Sequence, residues 1–209
     1  MAGKITALEY QKRNRDRVSV FLDGRFAFGL PAIVAAGLRK GQTLSDAEIE
    51  SLQEEGTVES GYHKALDFLS YRPRSRAEVE TYLQKRGFPE TRAEAIIERL
   101  ERAGLLNDAA FAQFWVENRE RFRPRGPRAL RYELQSKGVG DEIIERVLAL
   151  LDVSDGAYRS ASKKACQLGQ LDRQTFVRKV VEYLARRGFD YEVAREAAER
   201  HWTELRADQ

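Results

Sequence analysis

The chain has 209 residues, a third of them charged, yet its formal net charge is only +3. It is long enough for one or two buried cores, and too nearly neutral for bulk charge alone to argue a polyanion partner. Its single cysteine, Cys166, excludes an intramolecular disulfide and points to a reducing compartment.

Residues 1–58 read as a small α+β module. Ile5 to Tyr10 forms a strand, and the strands Val18–Leu22 and Arg25–Phe28 flank Asp23-Gly24, a strong hairpin signal. Gln11 to Arg17 is expected as a loop carrying Lys12, Arg13, Arg15 and Arg17. Pro31 to Leu38 reads as a short helix. Ser45 and Glu48 form a capping box that opens another, expected to run through Leu52, with a boundary at Glu54-Glu55-Gly56.

The rest is organised around one recurring unit: Tyr82-Leu83-Gln84-Lys85-Arg86-Gly87-Phe88, Glu133-Leu134-Gln135-Ser136-Lys137-Gly138-Val139 and Tyr183-Leu184-Ala185-Arg186-Arg187-Gly188-Phe189. In each, an amphipathic helix ends in basic residues, glycine takes the left-handed position after it, and an apolar residue folds back onto the last turn. A period near fifty residues marks a helical repeat array. Repeat one covers 59–106: a helix from Tyr62 to Ser70, a break at Tyr71-Arg72-Pro73-Arg74, a helix capped by Ser75 and Glu78, and a third expected from Thr91. Repeat two, 107–153, opens at Asn107. Its first helix is expected to bury Phe111, Phe114, Trp115 and Phe122, its second starts at Pro127, and its third spans Asp141 to Leu151. Repeat three, 154–209, has helices at Tyr158–Leu168, after Asp172, and Glu192–Trp202. The third helix of repeat one is expected to start some four residues later after its glycine than its counterparts do. The fold class is mostly α: three tandem three-helix repeats in an elongated, curved body, preceded by the β-hairpin module.

Arginine and lysine cluster at matching places in the repeats. Repeat one carries Arg72, Arg74, Arg76, Lys85 and Arg86; repeat two carries Arg119, Arg121, Arg123, Arg125, Arg128, Arg131 and Lys137; repeat three carries Arg178, Lys179, Arg186 and Arg187. Corresponding runs in three repeats favour a basic stripe, suited to a phosphate backbone or an acidic protein surface and sensitive to salt. Lys12, Arg13, Arg15 and Arg17 would be an accessory DNA contact, unless the module simply caps the apolar end of the stack. The pairing of helices around a glycine turn also admits a helix-turn-helix DNA reader, although no helix shows a set of base-reading side chains.

Enzyme chemistry finds no support. The chain has no Gly-rich phosphate cradle and no nucleophile beside a base. With one cysteine and the distant His63 and His201, it has no zinc-ligand spacing. His63 reads as a surface residue and His201, beside Trp202, as a packing residue. No cofactor or metal is expected. Without a basic start leading into an apolar run, or a span long enough for a membrane, the expectation is a monomeric, cytoplasmic protein.

Several segments resemble the RecX recombination regulators. They are Ala65-Leu66-x-Phe68-Leu69-x-x-Arg72-x-Arg74-Ser75-x-x-Glu78-Val79-x-x-Tyr82-Leu83, Gly104-Leu105-Leu106-Asn107-Asp108-x-x-Phe111-Ala112, Arg125-Gly126 with Glu133-Leu134-x-x-Lys137-Gly138-Val139, and Leu184-x-x-Arg187-Gly188-Phe189. The resemblance covers residues 60–205 or so. It implies a protein lying in the groove of the helical RecA–single-stranded DNA filament, where it suppresses RecA's ATPase, strand exchange and co-protease functions. The basic residues named above would make the contacts. The sixty residues before the repeats depart from the pattern, since many family members have little or nothing there.

Overall fold

The computed structural model describes residues 2–207. The N-terminal module is an antiparallel sheet of β1 (Gly3–Gln11), β2 (Asn14–Leu22), β3 (Arg25–Pro31) and β4 (Thr43–Leu44), in the order β3-β2-β1-β4. Val18, Val20 and Leu22 alternate inward on β2 and join Ile5, Phe28, Leu30, Leu44 and Ile49 in one core. The turn between β2 and β3 places both Asp23 (φ 48°) and Gly24 (φ 81°) in the left-handed region, which matches the twist of the two strands. Two differences from expectation appear. The segment expected as a loop is mostly strand: β2 begins at Asn14, so only Lys12 and Arg13 form the turn and Arg15 and Arg17 lie on the sheet. The two-residue β4, which pairs with Gly3 and Lys4, is too short to leave a sequence pattern.

After the short α1 (Ala32–Ala35), α2 runs unbroken over Asp46–Ser70. Its capping box is as expected: the Ser45 N–H donates to Glu48 Oε2 at 2.7 Å and the Glu48 N–H donates to Ser45 Oγ at 3.3 Å. The helix expected to end at Leu52 instead continues through Gly56. A Cβ at Gly56 would come within 2.7 Å of Leu30 Cδ2, so this glycine lets the helix lie close on the sheet. A mid-helix glycine costs about 1 kcal/mol of propensity, which close packing offsets.

Three helical cores follow. The first gathers Ala65 of α2, Val79 and Leu83 of α3 (Arg76–Gln84), and Ile96, Ile97 and Leu100 of α4 (Glu90–Arg102). The second takes Phe111, Ala112 and Val116 from α5 (Asp108–Phe122), Leu130 and Leu134 from α6 (Pro127–Gln135), and Ile144 and Leu148 from α7 (Asp141–Leu148). The third is built from α8 (Val153–Leu168), α9 (Arg173–Arg186) and α10 (Tyr191–Ala207) around Phe176, Val180, Leu184 and Phe189. Within it His201 is buried, stacked on Tyr158 at 4.1 Å, with its Nε2 2.9 Å from the Tyr158 carbonyl.

Each middle helix closes on its glycine through the same pair of backbone bonds. Phe88, Val139 and Phe189 donate back to Leu83, Leu134 and Leu184, while Gly87, Gly138 and Gly188 donate to Gln84, Gln135 and Ala185. The third helix starts three residues after the glycine in all three repeats, so the expected offset in repeat one is corrected: α4 begins at Glu90, after Pro89, and not at Thr91. In α5, Phe111 is buried, but Phe114 and Phe122 are 39% and 66% exposed. The inward positions belong to Phe111, Ala112 and Val116, and the aromatic spacing misled because it ignored the small residue between them. By internal contacts the chain forms two compact units, Met1–Arg72 with Val79–Leu106, and Pro73–Glu78 with Asn107–Gln209, so the division falls inside α3.

Candidate functional site

The second unit contains two joints between successive repeats, and several of the expected basic residues lie at them. In each joint the N-terminus of a middle helix meets the glycine turn of the next repeat. At the first, Ser75 Oγ donates to the Lys137 carbonyl at 2.6 Å, the Lys137 ammonium sits 2.9 Å from Glu78 Oε1, and a Cβ on Gly138 would strike the Ala77 methyl. At the second, the Gly126 N–H donates to the Arg187 carbonyl at 3.0 Å and the Arg128 N–H to the Gly188 carbonyl at 3.3 Å. The Arg187 guanidinium returns two bonds to the Pro124 carbonyl, at 3.1 and 3.3 Å.

This geometry sorts the candidate cations into two groups. Some are used in holding the fold. Arg119 Nε donates to Glu133 Oε2 at 2.7 Å, and Arg125 Nε lies 3.1 Å from Glu133 Oε1, off the line of a hydrogen bond. Arg131 forks onto Glu145 with two bonds of 2.8 Å. Lys137 and Arg187 are the joint residues themselves. Arg72, Arg74 and Arg76 are half-buried and each makes a polar or ring contact; the Arg76 N–H also donates to Asp108 Oδ1 at 2.8 Å. Arg178 sits 3.5 Å from Glu182.

The second group is exposed and, among the described residues, has no carboxylate partner. Arg121, Arg123, Arg128, Lys179 and Arg186 belong to it in the second unit, and Lys85 and Arg86 in the first. Arg86 is stacked 4.0 Å over Tyr82. The second joint brings the Arg123–Arg128 loop against the Arg186–Gly188 turn, so free guanidinium groups flank it from both repeats.

In the N-terminal module, Lys12, Arg13 and Arg15 are exposed and Arg17 donates to the Gly29 carbonyl at 3.1 Å. Arg17 also lines a cleft of about 440 Å³ with Phe28, Gly29, Thr57, Lys64 and Phe88. Sequence reasoning missed Lys64. Alone on a helix it gave no signal, and only the fold of β3 against α2 sets it across from Arg17. Among the described residues no group of three His, Cys, Asp or Glu side chains is placed to hold a metal ion, and no helix is long and apolar enough to cross a membrane. His63 is exposed, 3.2 Å from Glu59, and His201 is committed to packing, so neither histidine faces a site.

Tandem three-helix units that end their middle helices in glycine turns, with a small sheet module ahead of them, define a helical-repeat protein. The chain belongs to the RecX family of regulatory proteins. Family models match for the RecX N-terminal domain over residues 3–45, the first three-helix domain over 62–100 and the second over 107–148. Similar proteins named Regulatory protein RecX include that of Bacillus licheniformis, 34% identical over 194 residues and covering 90% of this chain and 74% of the relative. Another is that of Listeria innocua, 31% identical over 208 residues, with 97% and 77% covered. A crystal structure of regulatory protein RecX aligns with a TM-score of 0.78 at 27% identity, over 94% of this chain and 99% of that one. RecX from Lactobacillus salivarius aligns at 0.63 and 27%, over 72% and 97%. One expectation is overturned here: the N-terminal residues are no departure from the family, since they match its own N-terminal domain.

Proposed function

We propose that this protein is a non-enzymatic, cytoplasmic regulator of recombination and repair. In this reading it binds the RecA–single-stranded DNA filament through the free cations around its repeat joints and restrains RecA's ATPase, strand exchange and co-protease activity. The observation that carries the reading is the sorting of charge. The cations that hold the joints are engaged, Lys137 by the Glu78 carboxylate and Arg187 by the Pro124 carbonyl, whereas Arg123, Arg128 and Arg186 stand exposed around one joint with no counter-ion among the described residues. Unpaired guanidinium groups that the fold does not use favour contact with phosphate or with an acidic protein face.

The helix-turn-helix alternative is weakened by the helix that would have to enter a DNA groove. The helices following the glycine turns present Glu90, Glu94 and Glu98 in α4 and Asp141, Glu142 and Glu145 in α7. Glu98, Glu142 and Glu145 are paired with Arg102, Arg146 and Arg131, so these helices hold their arginines in ion pairs and leave few donors for a DNA groove.

The test is RecA ATPase on single-stranded DNA, titrated with the protein at several salt concentrations. Inhibition that weakens as salt rises, and that falls about tenfold or more when Arg123, Arg128 and Arg186 are changed together to glutamate, is the expected result. Undiminished inhibition by that triple variant would move the contact elsewhere. Wild-type protein without effect on RecA that binds naked duplex tightly would sink the reading.

A further inference from the structure

Counted back from the cap of the middle helix, the four residues that lead out of the first helix differ in chemistry among the three repeats. They read Tyr71-Arg72-Pro73-Arg74 before the cap Ser75, Phe122-Arg123-Pro124-Arg125 before the cap Gly126, and Leu168-Gly169-Gln170-Leu171 before the cap Asp172. Two of them share the order aromatic, arginine, proline, arginine. Tyr71 is 84% exposed and Phe122 is 66% exposed, so neither ring adds much to a core.

The third segment shows that the architecture does not need this pattern. Leu168 is half-buried against the third core, and Arg206 donates to the Gly169 and Leu171 carbonyls at 3.2 and 3.5 Å, which closes the segment from outside. The same span is therefore bridged without a ring, a proline or a local arginine. Two exposed aromatic residues at equivalent positions, each beside arginine, require an explanation other than packing.

We propose that Tyr71 and Phe122 are stacking platforms for the unpaired bases of a single-stranded nucleic acid. Phe122 shows the arrangement most fully. The Arg121 guanidinium lies 5.3 Å from its ring centroid, and Arg123, the next residue in the chain, is exposed with no carboxylate partner among the described residues. An exposed ring with an arginine on each side in sequence matches a nucleotide, which carries a π face and an anionic phosphate within one residue. An acidic protein surface offers carboxylates but no obligatory ring face. At Tyr71 the ring makes no aromatic or cation contact among the described residues, leaving both faces available. Stacking of this kind is tolerant of sequence, because every base has a face to offer.

This inference rests on the nucleic-acid side of the proposed function, and its test runs on naked DNA so that the two fail separately. Fluorescence anisotropy would compare the full chain binding an oligothymidylate and an abasic oligomer of the same length, across a salt series. The wild type should prefer the oligomer with bases. Phe122→Ala and Tyr71→Ala should each weaken binding to it by roughly fivefold to a hundredfold, leave binding to the abasic strand alone, and keep the salt slope. Arg123→Gln should instead flatten the slope by about 0.7 and affect both strands. Phe122→Trp should restore the preference, and unchanged thermal midpoints would separate lost contacts from lost fold.

Equal wild-type affinity for both strands, or no binding to either, overturns the proposal. So does a Phe122→Ala protein that binds DNA normally but no longer inhibits RecA, because the ring would then face the protein. Base-dependent binding lost in Phe122→Ala, in a protein without effect on RecA, upholds the stacking site while the regulator reading falls.

Discussion

The glycine turns at Gly87 and Gly188 share a sequence signature and a backbone conformation, with φ of 82° and 88°, yet they do different work. A side chain at Gly87 would meet nothing within 4 Å, whereas one at Gly188 would collide with the backbone and methyl of Ala129. The first glycine only ends a helix. The second ends a helix and also lets another repeat's helix N-terminus close on it, with Gly126 contributing the opposite wall. Gly138 lies between these extremes, since its obstacle is the single methyl of Ala77. Identical local chemistry is thus reused for helix termination in one repeat and for coupling between repeats in the others. The residue before the glycine follows suit: Arg86 is exposed, while Lys137 and Arg187 are bound into joints.

Substitutions should rank by this difference. Gly188→Ala and Gly126→Ala are expected to be the most damaging, about 3 kcal/mol or more, because backbone blocks the added carbon and cannot yield. Urea unfolding of the full chain measures this, and a loss near 1 kcal/mol would show that the joint can open at little cost. Gly138→Ala should fall lower, about 2 kcal/mol, with the left-handed backbone and the Ala77 methyl both contributing. Gly87→Ala should cost only about 1 kcal/mol, the left-handed penalty alone; a cost equal to that of Gly188→Ala would erase the distinction.

Smaller effects sharpen the contrast at the C-terminal repeat. Asp172 caps α9 by accepting from the Thr175 N–H at 3.0 Å, and its replacement by alanine should lower the urea midpoint by less than any of the glycine variants does. That hydrogen bond holds the Asp172 carboxyl below its ordinary range. Glu204 is lowered by the Tyr158 hydroxyl, 2.5 Å away, and then by Arg200. A carboxylate lowered on folding contributes fully above its unfolded value and loses that contribution as pH falls through the folded one. The thermal midpoint should therefore decline on acidification below the ordinary carboxylate range, and Asp172→Asn with Glu204→Gln should flatten the decline. An unchanged acid limb in that double variant would place the responsible carboxylates elsewhere.

Much of the fold is legible in residue order because its signals are local. The capping boxes at Ser45 and Ser75, the caps at Asn107 and Asp172, the Asp23-Gly24 hairpin and the three glycine turns each depend on neighbours within a few positions. The misreadings arise where distant parts meet. Gly56 looks like a helix breaker, yet it sits in mid-helix because Leu30 needs the room, as Ile96 and Phe88 do at Gly61. The basic stripe was visible as a run of arginines, but which of them remain free depended on Glu133, Glu145 and Glu78, whose partners lie up to 59 residues away along the chain. The spacing of Phe122 suits the core equally well, because spacing alone cannot separate an inward ring from an outward one.

The unbroken α2 has one more consequence, for how the molecule opens. Its first half supplies Ile49 to the core of the sheet module, and its second half supplies Ala65 to the core of the first repeat. A helix anchored in two cores cannot fray in its middle without loosening both. Amide exchange should find the sheet module and the first repeat protected as one cooperative block, and a protein trimmed at residue 58 would begin inside a helix stripped of its cap.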